Sequence, residues 1–267
     1  MSQLTTTINR PVLRVQNDRF EWAEDEIVTE YPLTIFLNDE EFATIVCTPT
    51  DLEEMVIGFL ASEGAIREYA EIRQLSIDES RGFAYVDLQQ QTILSQQFYS
   101  KRRITSCCGK SRQSFYFFSD ARTAKPATSD VRITPEQVFR LMDELQSSSL
   151  VHRSTGGVHN AALCTPQEVV LTYSDIGRHN ALDKIFGYCL REALPTQDKV
   201  LVFSGRISSE VLLKAAKIGA GVIISKSAPT ELALQLAEEL NITAIGFVRQ
   251  GRMNVYTRPD RVVSSQP

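Results

Sequence analysis

Apolar and polar residues alternate most cleanly in Tyr31-Pro-Leu-Thr-Ile-Phe-Leu37, which predicts a half-buried strand. Asn38-Asp39 follows as a turn, and residues 42–47 return as the second strand of a hairpin. The first thirty residues are polar and acidic, with a weak alternating strand near Val12 to Val15. Thr50-Asp-Leu-Glu53 has the form of a capping box and predicts a helix over 52–61; Gly64 suits its left-handed end. Two further strands are expected at 75–77 and 84–88, and a short aromatic strand at 115–118.

A polar linker of small residues over 120–130 separates this half from the next. Thr134-Pro-Glu-Gln137 places a cap, an N1 proline and an N3 glutamine at the start of a helix running to about Ser148. Strands and helices then alternate: strands at 161–164 and 169–173, a helix at 180–194, a strand at 200–203, a helix at 209–218 and a strand at 221–225. A helix at 231–240 and strands at 243–247 and 253–256 complete the series. Apolar strands alternating with helices predict a layered α/β sheet with parallel segments. The expected organisation is α/β: an N-terminal α+β subdomain over 1–125 and a C-terminal layered α/β domain over 126–267.

Composition narrows the class. The 267 residues are 43% hydrophobic and 23% charged, ordinary for a globular protein. A net charge of −5 argues against a nucleic-acid binder. The start, Met-Ser-Gln-Leu-Thr-Thr-Thr, lacks the apolar core of a signal peptide, and no apolar run approaches the ~20 residues that span a bilayer. Five cysteines form no regular framework, so a reducing, cytoplasmic location is expected.

Two of the five are adjacent. Cys107 and Cys108 lie among Lys101, Arg102, Arg103, Lys110 and Arg112, and no acidic residue occurs from Leu88 to Ser119. Neighbouring cations stabilise the thiolate, the reactive form of cysteine. Thr105, Ser106 and Gly109 favour an accessible loop. A structural zinc site calls for a second chelating pair, which is absent. A vicinal disulfide is strained, because consecutive Cα atoms are ~3.8 Å apart, below the usual disulfide range. Reactive thiols remain, whereas Cys164 and Cys189 have the surroundings of small buried hydrophobes.

In the second half, strand-to-helix junctions carry glycines and arginines. Ser154-Thr-Gly-Gly-Val-His159, Asp175-Ile-Gly-Arg-His-Asn180 and Ser204-Gly-Arg-Ile-Ser-Ser209 are three of them, and Phe247-Val-Arg-Gln-Gly-Arg252 is a fourth. Ligands of open α/β sheets bind where strands end, and helix N-termini offer amides to phosphates. Arg178 and Arg206 can pair bidentately with phosphate oxygens. Together these junctions suggest a site for a large phosphorylated ligand. Taken singly, each has a plainer reading: a solvated arginine in a turn, a hydrogen-bonded His159 or His179, an Asp175 that orients its own loop.

Asp175-Ile-Gly-Arg-His-Asn-Ala-Leu-Asp-Lys184 closely resembles a signature of the formate dehydrogenase accessory sulfurtransferase family. Tyr31-Pro-Leu-Thr-Ile, Glu54-Met-Val-Ile-Gly-Phe-Leu-Ala-Ser-Glu-Gly64, Thr155-Gly-Gly-Val-His159, Ser204-Gly-Arg206 and Gly251-Arg-Met-Asn-Val-Tyr256 match it in the same order. The resemblance implies a cytoplasmic, persulfide-forming sulfurtransferase. It would accept sulfur from a cysteine desulfurase and deliver it to the molybdenum (or tungsten) bis-guanine-dinucleotide cofactor destined for formate dehydrogenase. It also implies a second half resembling the cytidine deaminase fold. The deaminase zinc signature is missing, so neither zinc nor deamination is expected. The family commonly has Cys-x-x-Cys-Gly where this chain has Cys107-Cys108-Gly109; the simplest alignment gives Cys107 the carrier role and Cys108 the second. The family's cofactor-binding stretch falls on Phe247, Val248, Arg249, Gln250, Gly251 and Arg252, with Arg178, Arg206 and Asn254 as further candidates. A homodimer is the expectation from the general frequency of symmetric pairs. Rival readings are a cofactor-binding chaperone that never touches sulfur and a thiol-disulfide oxidoreductase.

Overall fold

The computed structural model describes residues 4–89, 102–104 (backbone course) and 124–264. The chain opens with a two-stranded ribbon, β1 (Thr7–Gln16) and β2 (Arg19–Val28), paired antiparallel along its full length. Only the weak strand near Val12 to Val15 was legible there. The turn Asn17-Asp18 has positive φ at both residues, as does Asn38-Asp39 in the next hairpin. Both suit the twist of paired strands. The ribbon leaves Trp22 74% and Phe20 68% exposed, which is why its pattern carries so little burial signal.

A five-stranded sheet follows, built from β3 (Tyr31–Leu37), β4 (Glu40–Cys47), β5 (Ile72–Asp78), β6 (Phe83–Leu88) and β7 (Arg102–Ile104), in the order β5-β6-β3-β4-β7. The β3–β4 hairpin is antiparallel, and β7 runs parallel to β4 with Ile104 opposite Ile45. Strand β7 replaces part of the expected basic loop. Positions 115–118 lie outside the described residues. Alternate residues Leu33, Ile35 and Leu37 are buried against α1 (Leu52–Ser62).

Helix α1 differs from expectation at its start. The capping box does not form: Asp51 is the N-cap with φ 53° and makes no side-chain cap, while the Thr50 hydroxyl instead accepts a hydrogen bond from Lys184 Nζ at 3.3 Å. A tertiary partner outcompetes the local one. The far end is as expected: Gly64 has φ 77°, its amide reaches Ala61 O (3.0 Å), and the Ala65 amide reaches Leu60 O (2.8 Å).

The second half is a six-stranded sheet. Its strands are β8 (His159–Cys164), β9 (Val169–Asp175), β10 (Val200–Phe203), β11 (Val222–Ser225), β12 (Thr243–Arg249) and β13 (Arg252–Val255), ordered β13-β12-β11-β10-β8-β9. The central β10, β11 and β12 are parallel; β8, β9 and β13 are antiparallel to their neighbours. Helix α2 (Pro135–Ser148) has the expected capping box, with Gln137 N donating to Thr134 Oγ1 (3.3 Å) and Thr134 N to Gln137 Oε1 (2.8 Å). It covers one sheet face, over Val200, Val202, Val222 and Ile224. A short helix not foreseen from the sequence, α3 (Leu150–Thr155), lies beside β2. Helices α4 (Arg178–Arg191), α5 (Ser209–Ile218) and α6 (Glu231–Glu239) cover the other face, where Leu201, Phe203 and Ile223 point. The protein is thus a mixed α/β structure with three sheets and six α-helices among the described residues.

Helix α1 is buried on nearly every side because it fills the space between the five-stranded sheet and α4. The two helices meet backbone to backbone. A Cβ on Gly58 would fall inside the Asp183 carbonyl, and one on Gly187 inside the Glu54 carbonyl. One hydrophobic cluster therefore includes Leu33, Ile45, Met55, Leu60, Leu182, Ile185, Leu201 and Ile223, residues of both halves. Polar ties reinforce the seam: Ser62 Oγ donates to Asp183 Oδ1 (2.6 Å), Lys214 Nζ pairs with the same carboxylate, and Lys217 Nζ donates to Ser62 O (2.6 Å).

Candidate functional site

The carboxyl ends of β10, β11 and β12 open on one edge of the six-stranded sheet. Because β8 is antiparallel to β10, and β9 to β8, the start of β8 and the end of β9 share that edge, with His159 opposite Asp175. This is the position where open α/β sheets take ligands.

A chain of hydrogen bonds stitches the edge together. Ser204 Oγ lies 3.3 Å from His159 Nδ1 and accepts from Asn160 N at 3.1 Å. Ser227 Oγ donates to Ser204 O (3.0 Å), Ser225 Oγ to Gly205 O (2.6 Å), and Phe247 N to Ser227 O (3.2 Å). The loops after the three parallel strands are thus one hydrogen-bonded surface. Arg178, the first residue of α4, lies across Gly205: a Cβ there would be 3.0 Å from Arg178 Cδ. Arg206 is exposed beside it.

The cationic character is visible in the histidines. Burial lowers the pKa of His159, and the charge of Arg178 lowers it further, against a smaller opposing effect of Asp175. Burial also lowers that of His179, partly offset by Glu210 Oε2 at 3.2 Å from its Nε2. Both imidazoles are therefore neutral at pH 7, leaving the positive charge on the arginines. A neutral ring next to a cation supplies hydrogen bonds without adding charge.

The β12–β13 hairpin completes the edge. Phe247 has φ 53° at an irregularity in the pairing, and Gly251 has φ 72° in the turn. Arg249 and Arg252 are exposed and directly opposite each other. Like charges so placed repel, which an anion between them would relieve. Gln250 and Gly251 are also exposed. Val248 differs: it is buried in the cluster beneath α2, so its side chain is core. Asn254 sits opposite Gly246 and donates to Tyr256 OH at 3.1 Å. The structure brings Arg178 and Arg206 together at the loop after β10 and carries 247–252 two strands away, after β12, with the end of β11 between them.

The loop Ser225-Lys226-Ser227 escaped sequence reasoning, although it follows a strand in the same way as Ser204-Gly-Arg206. Lys226 is exposed on this edge, with Nζ 2.7 Å from Gln146 Oε1. Its signal is positional: it follows β11, the middle of the three parallel strands, whose carboxyl end is equivalent to those of β10 and β12.

The cysteines divide sharply. Cys47, Cys164 and Cys189 are buried and free, and burial pushes each thiol up to about 12. Such thiols are protonated at neutral pH and unreactive. Cys107 and Cys108 lie outside the described residues. Among the described residues no group of three or more His, Cys, Asp or Glu is arranged to hold a metal, and no helix is long and apolar enough to cross a membrane.

A protein of Halalkalibacterium halodurans named "Sulfur carrier protein FdhD" is 62% identical over 256 residues, covering 96% of this chain and 95% of its own. Proteins of the same name from Bacillus subtilis and Staphylococcus aureus are 58% and 52% identical, covering 96% and 97% of this chain and 97% and 98% of their own. A crystal structure from Desulfotalea psychrophila, described as a formate dehydrogenase accessory protein, has the same fold: its TM-score is 0.78 at 24% identity, over 97% of this chain and 100% of that one. The model of the FdhD/NarQ family matches residues 28–263, from the last residue of β2 to just past β13, the last strand of the six-stranded sheet. The chain belongs to the FdhD/NarQ family.

Proposed function

We propose that this protein is a sulfur carrier serving formate dehydrogenase. A cysteine desulfurase supplies persulfide sulfur to Cys107, with Cys108 beside it, and the carrier passes that sulfur to the molybdenum bis-guanine-dinucleotide cofactor as substrate. The observation that carries this reading is the division of the five cysteines. Three are buried with thiols near 12, and the remaining pair lies in a segment rich in Lys and Arg and free of acids. The name shared by relatives at 52–62% identity supports it.

In this reading Cys107 attacks the desulfurase persulfide as a thiolate. The outer sulfur moves to Cys107, and the desulfurase cysteine leaves as its own thiolate. The carboxyl edge of β10–β12 receives the cofactor: Arg178, Arg206, Arg249 and Arg252 face its phosphates, and the backbone and side chains of 247–252 and Asn254 hold the nucleotide. Connectivity favours the arrangement. Strand β7 pairs Ile104 with Ile45, and β4 runs on to Thr48, whose amide meets Asp175 at the same sheet edge (3.0 Å). Cys107 follows Ile104 by three residues, a covalent reach of roughly 10 Å. The chain therefore enters its cysteine segment from the end of the molecule that carries the ligand edge. The cytidine-deaminase likeness, the cytoplasmic location and the homodimer belong to the same reading. For the first, the support is the parallel β10–β11–β12 core.

The direct test incubates the purified protein with desulfurase and isotopically labelled cysteine, then maps the bound sulfur by mass spectrometry. The label is expected on Cys107 or Cys108 and absent from the other three cysteines. A Cys107→Ala, Cys108→Ala double variant that still transferred sulfur would refute the carrier role. If that variant still supported formate dehydrogenase activity, the chaperone reading would replace it.

A further inference from the structure

Two full charges lie beneath Arg178, and neither can reach a ligand. Asp175 and Lys184 are both 0% exposed and pair at 2.9 Å. Stability does not explain them. Taking two charges out of water costs several kcal/mol per ion, and well-packed apolar residues in place of a buried pair are often neutral or better. What such a pair provides is a fixed geometry.

Here every donor and acceptor is used. Asp175 accepts from four donors: Gly177 N (2.9 Å) and Asn180 Nδ2 (2.8 Å) on Oδ1, and Thr48 N (3.0 Å) and Lys184 Nζ (2.9 Å) on Oδ2. Lys184 has three protons to donate, and its ammonium meets three acceptors: Asp175 Oδ2, Thr50 Oγ1 (3.3 Å) and Ser174 O (3.2 Å). Asn180 Nδ2 also donates to Val46 O at 2.9 Å, and Thr48 Oγ1 accepts from Ile176 N at 3.2 Å. Gly177 must lack a side chain, since a Cβ would come within 2.8 Å of Asn180 Nδ2. Each bond runs either within the 174–184 segment or across to 46–50, the connector from β4 to α1.

We infer that Asp175, Asn180 and Lys184 are positioning residues. They lock the first turn of α4, and Arg178 with it, onto the end of β4, the strand that pairs with β7. The ligand edge of one half and the root of the cysteine segment in the other are held in one frame. This rests on the proposed role of the carboxyl edge. The signature Asp175-Ile-Gly-Arg-His-Asn-Ala-Leu-Asp-Lys184 thus contains one residue facing the ligand, Arg178, and a buried clamp beneath it.

Asp175→Asn keeps the shape but turns an amide group toward two donors. Lys184→Met removes the cation and leaves Asp175 with no counter-charge, only its three neutral donors. The double variant Asp175→Asn, Lys184→Met buries no lone charge. Three quantities test the clamp in full-length protein: Tm, amide hydrogen exchange, and affinity for guanosine diphosphate measured below every Tm. Each single variant should lower Tm, speed exchange at Thr48, Ile176 and Gly177 together, and weaken guanosine diphosphate about tenfold. The double variant should regain most of the Tm, but neither the exchange protection nor the affinity. Asn180→Ala, which spares the ion pair, should fold and show the same coupled exchange with a several-fold loss of affinity. It decides the matter if the charge variants do not fold. Wild-type exchange at those amides in Asn180→Ala or in the double variant overturns the clamp. Failure of the wild-type protein to bind guanosine diphosphate counts against the ligand edge instead, and the exchange comparison still judges the clamp.

Discussion

Cysteine chemistry at the residue scale depends on what surrounds each sulfur. Cys47 Sγ has Tyr31 O at 3.6 Å and Asp175 nearby, and burial followed by that carboxylate raises its pKa. Cys164 and Cys189 are raised mainly by burial. Folding thus holds three thiols protonated that an unfolded chain would ionise near ~8.5. Their contribution to stability is complete below that pH and is lost as pH climbs toward about 12. Each should cost about 2 kcal/mol by pH 10. Urea denaturation at pH 8 and pH 10 checks this: Cys164→Ala should lose less stability over that interval than the unmodified protein. The basic, acid-free setting of Cys107 and Cys108 was legible in sequence because charge composition is local. Of the buried three, Cys164 and Cys189 were legible from their apolar context. Val248 was not separable from its exposed neighbours Arg249 and Gln250, because strand alternation at an irregular hairpin depends on the partner strand.

Elements were legible where their signals are local. Thr134-Pro-Glu-Gln137 caps α2 as its sequence dictates, and Gly64 ends α1 in the left-handed conformation. The same logic failed at Thr50, whose hydroxyl is taken by Lys184 from 134 positions away in sequence. It found only a weak strand within β1 and missed β2, because the ribbon's outward apolar residues bury little, although Asn17-Asp18 repeats the turn signal of Asn38-Asp39. The α1–α4 crossing supplies a sharp prediction. Gly58→Ala or Gly187→Ala would drive a methyl into an opposing backbone, which cannot move without separating the helices. Each should destabilise by about 3 kcal/mol or more, since overpacking a filled core costs about 1–3 kcal/mol even where side chains can yield. Chemical denaturation measures this, and a variant within 0.5 kcal/mol of wild type, on the order of ordinary surface substitutions, would show that the helices can slide apart.

Across the whole molecule, one apolar cluster and the hydrogen bonds Thr48–Asp175, Ser62–Asp183 and Lys184–Thr50 join the two halves. A single cooperative unfolding transition is therefore expected by calorimetry, with equal calorimetric and van't Hoff enthalpies. Two separable transitions would support a boundary near residue 125 as an energetic one. The sequence by itself determined the alternation of strands and helices, most helix ends, the acid-free cysteine segment and the cluster of strand-end arginines. All of these follow from neighbours within a few residues, whose spacing and charge are written in order. Only the tertiary structure decided which strand ends share an edge, that Ser227 links two loops, and that Asp175 and Lys184 are a buried clamp. Those depend on bonds between residues from about twenty positions apart, such as Ser227 to Ser204, to more than a hundred, such as Thr48 to Asp175, and on a helix crossing that two glycines permit. Local pattern fixes what each segment can become; the paths of the chain between segments fix which side chains meet.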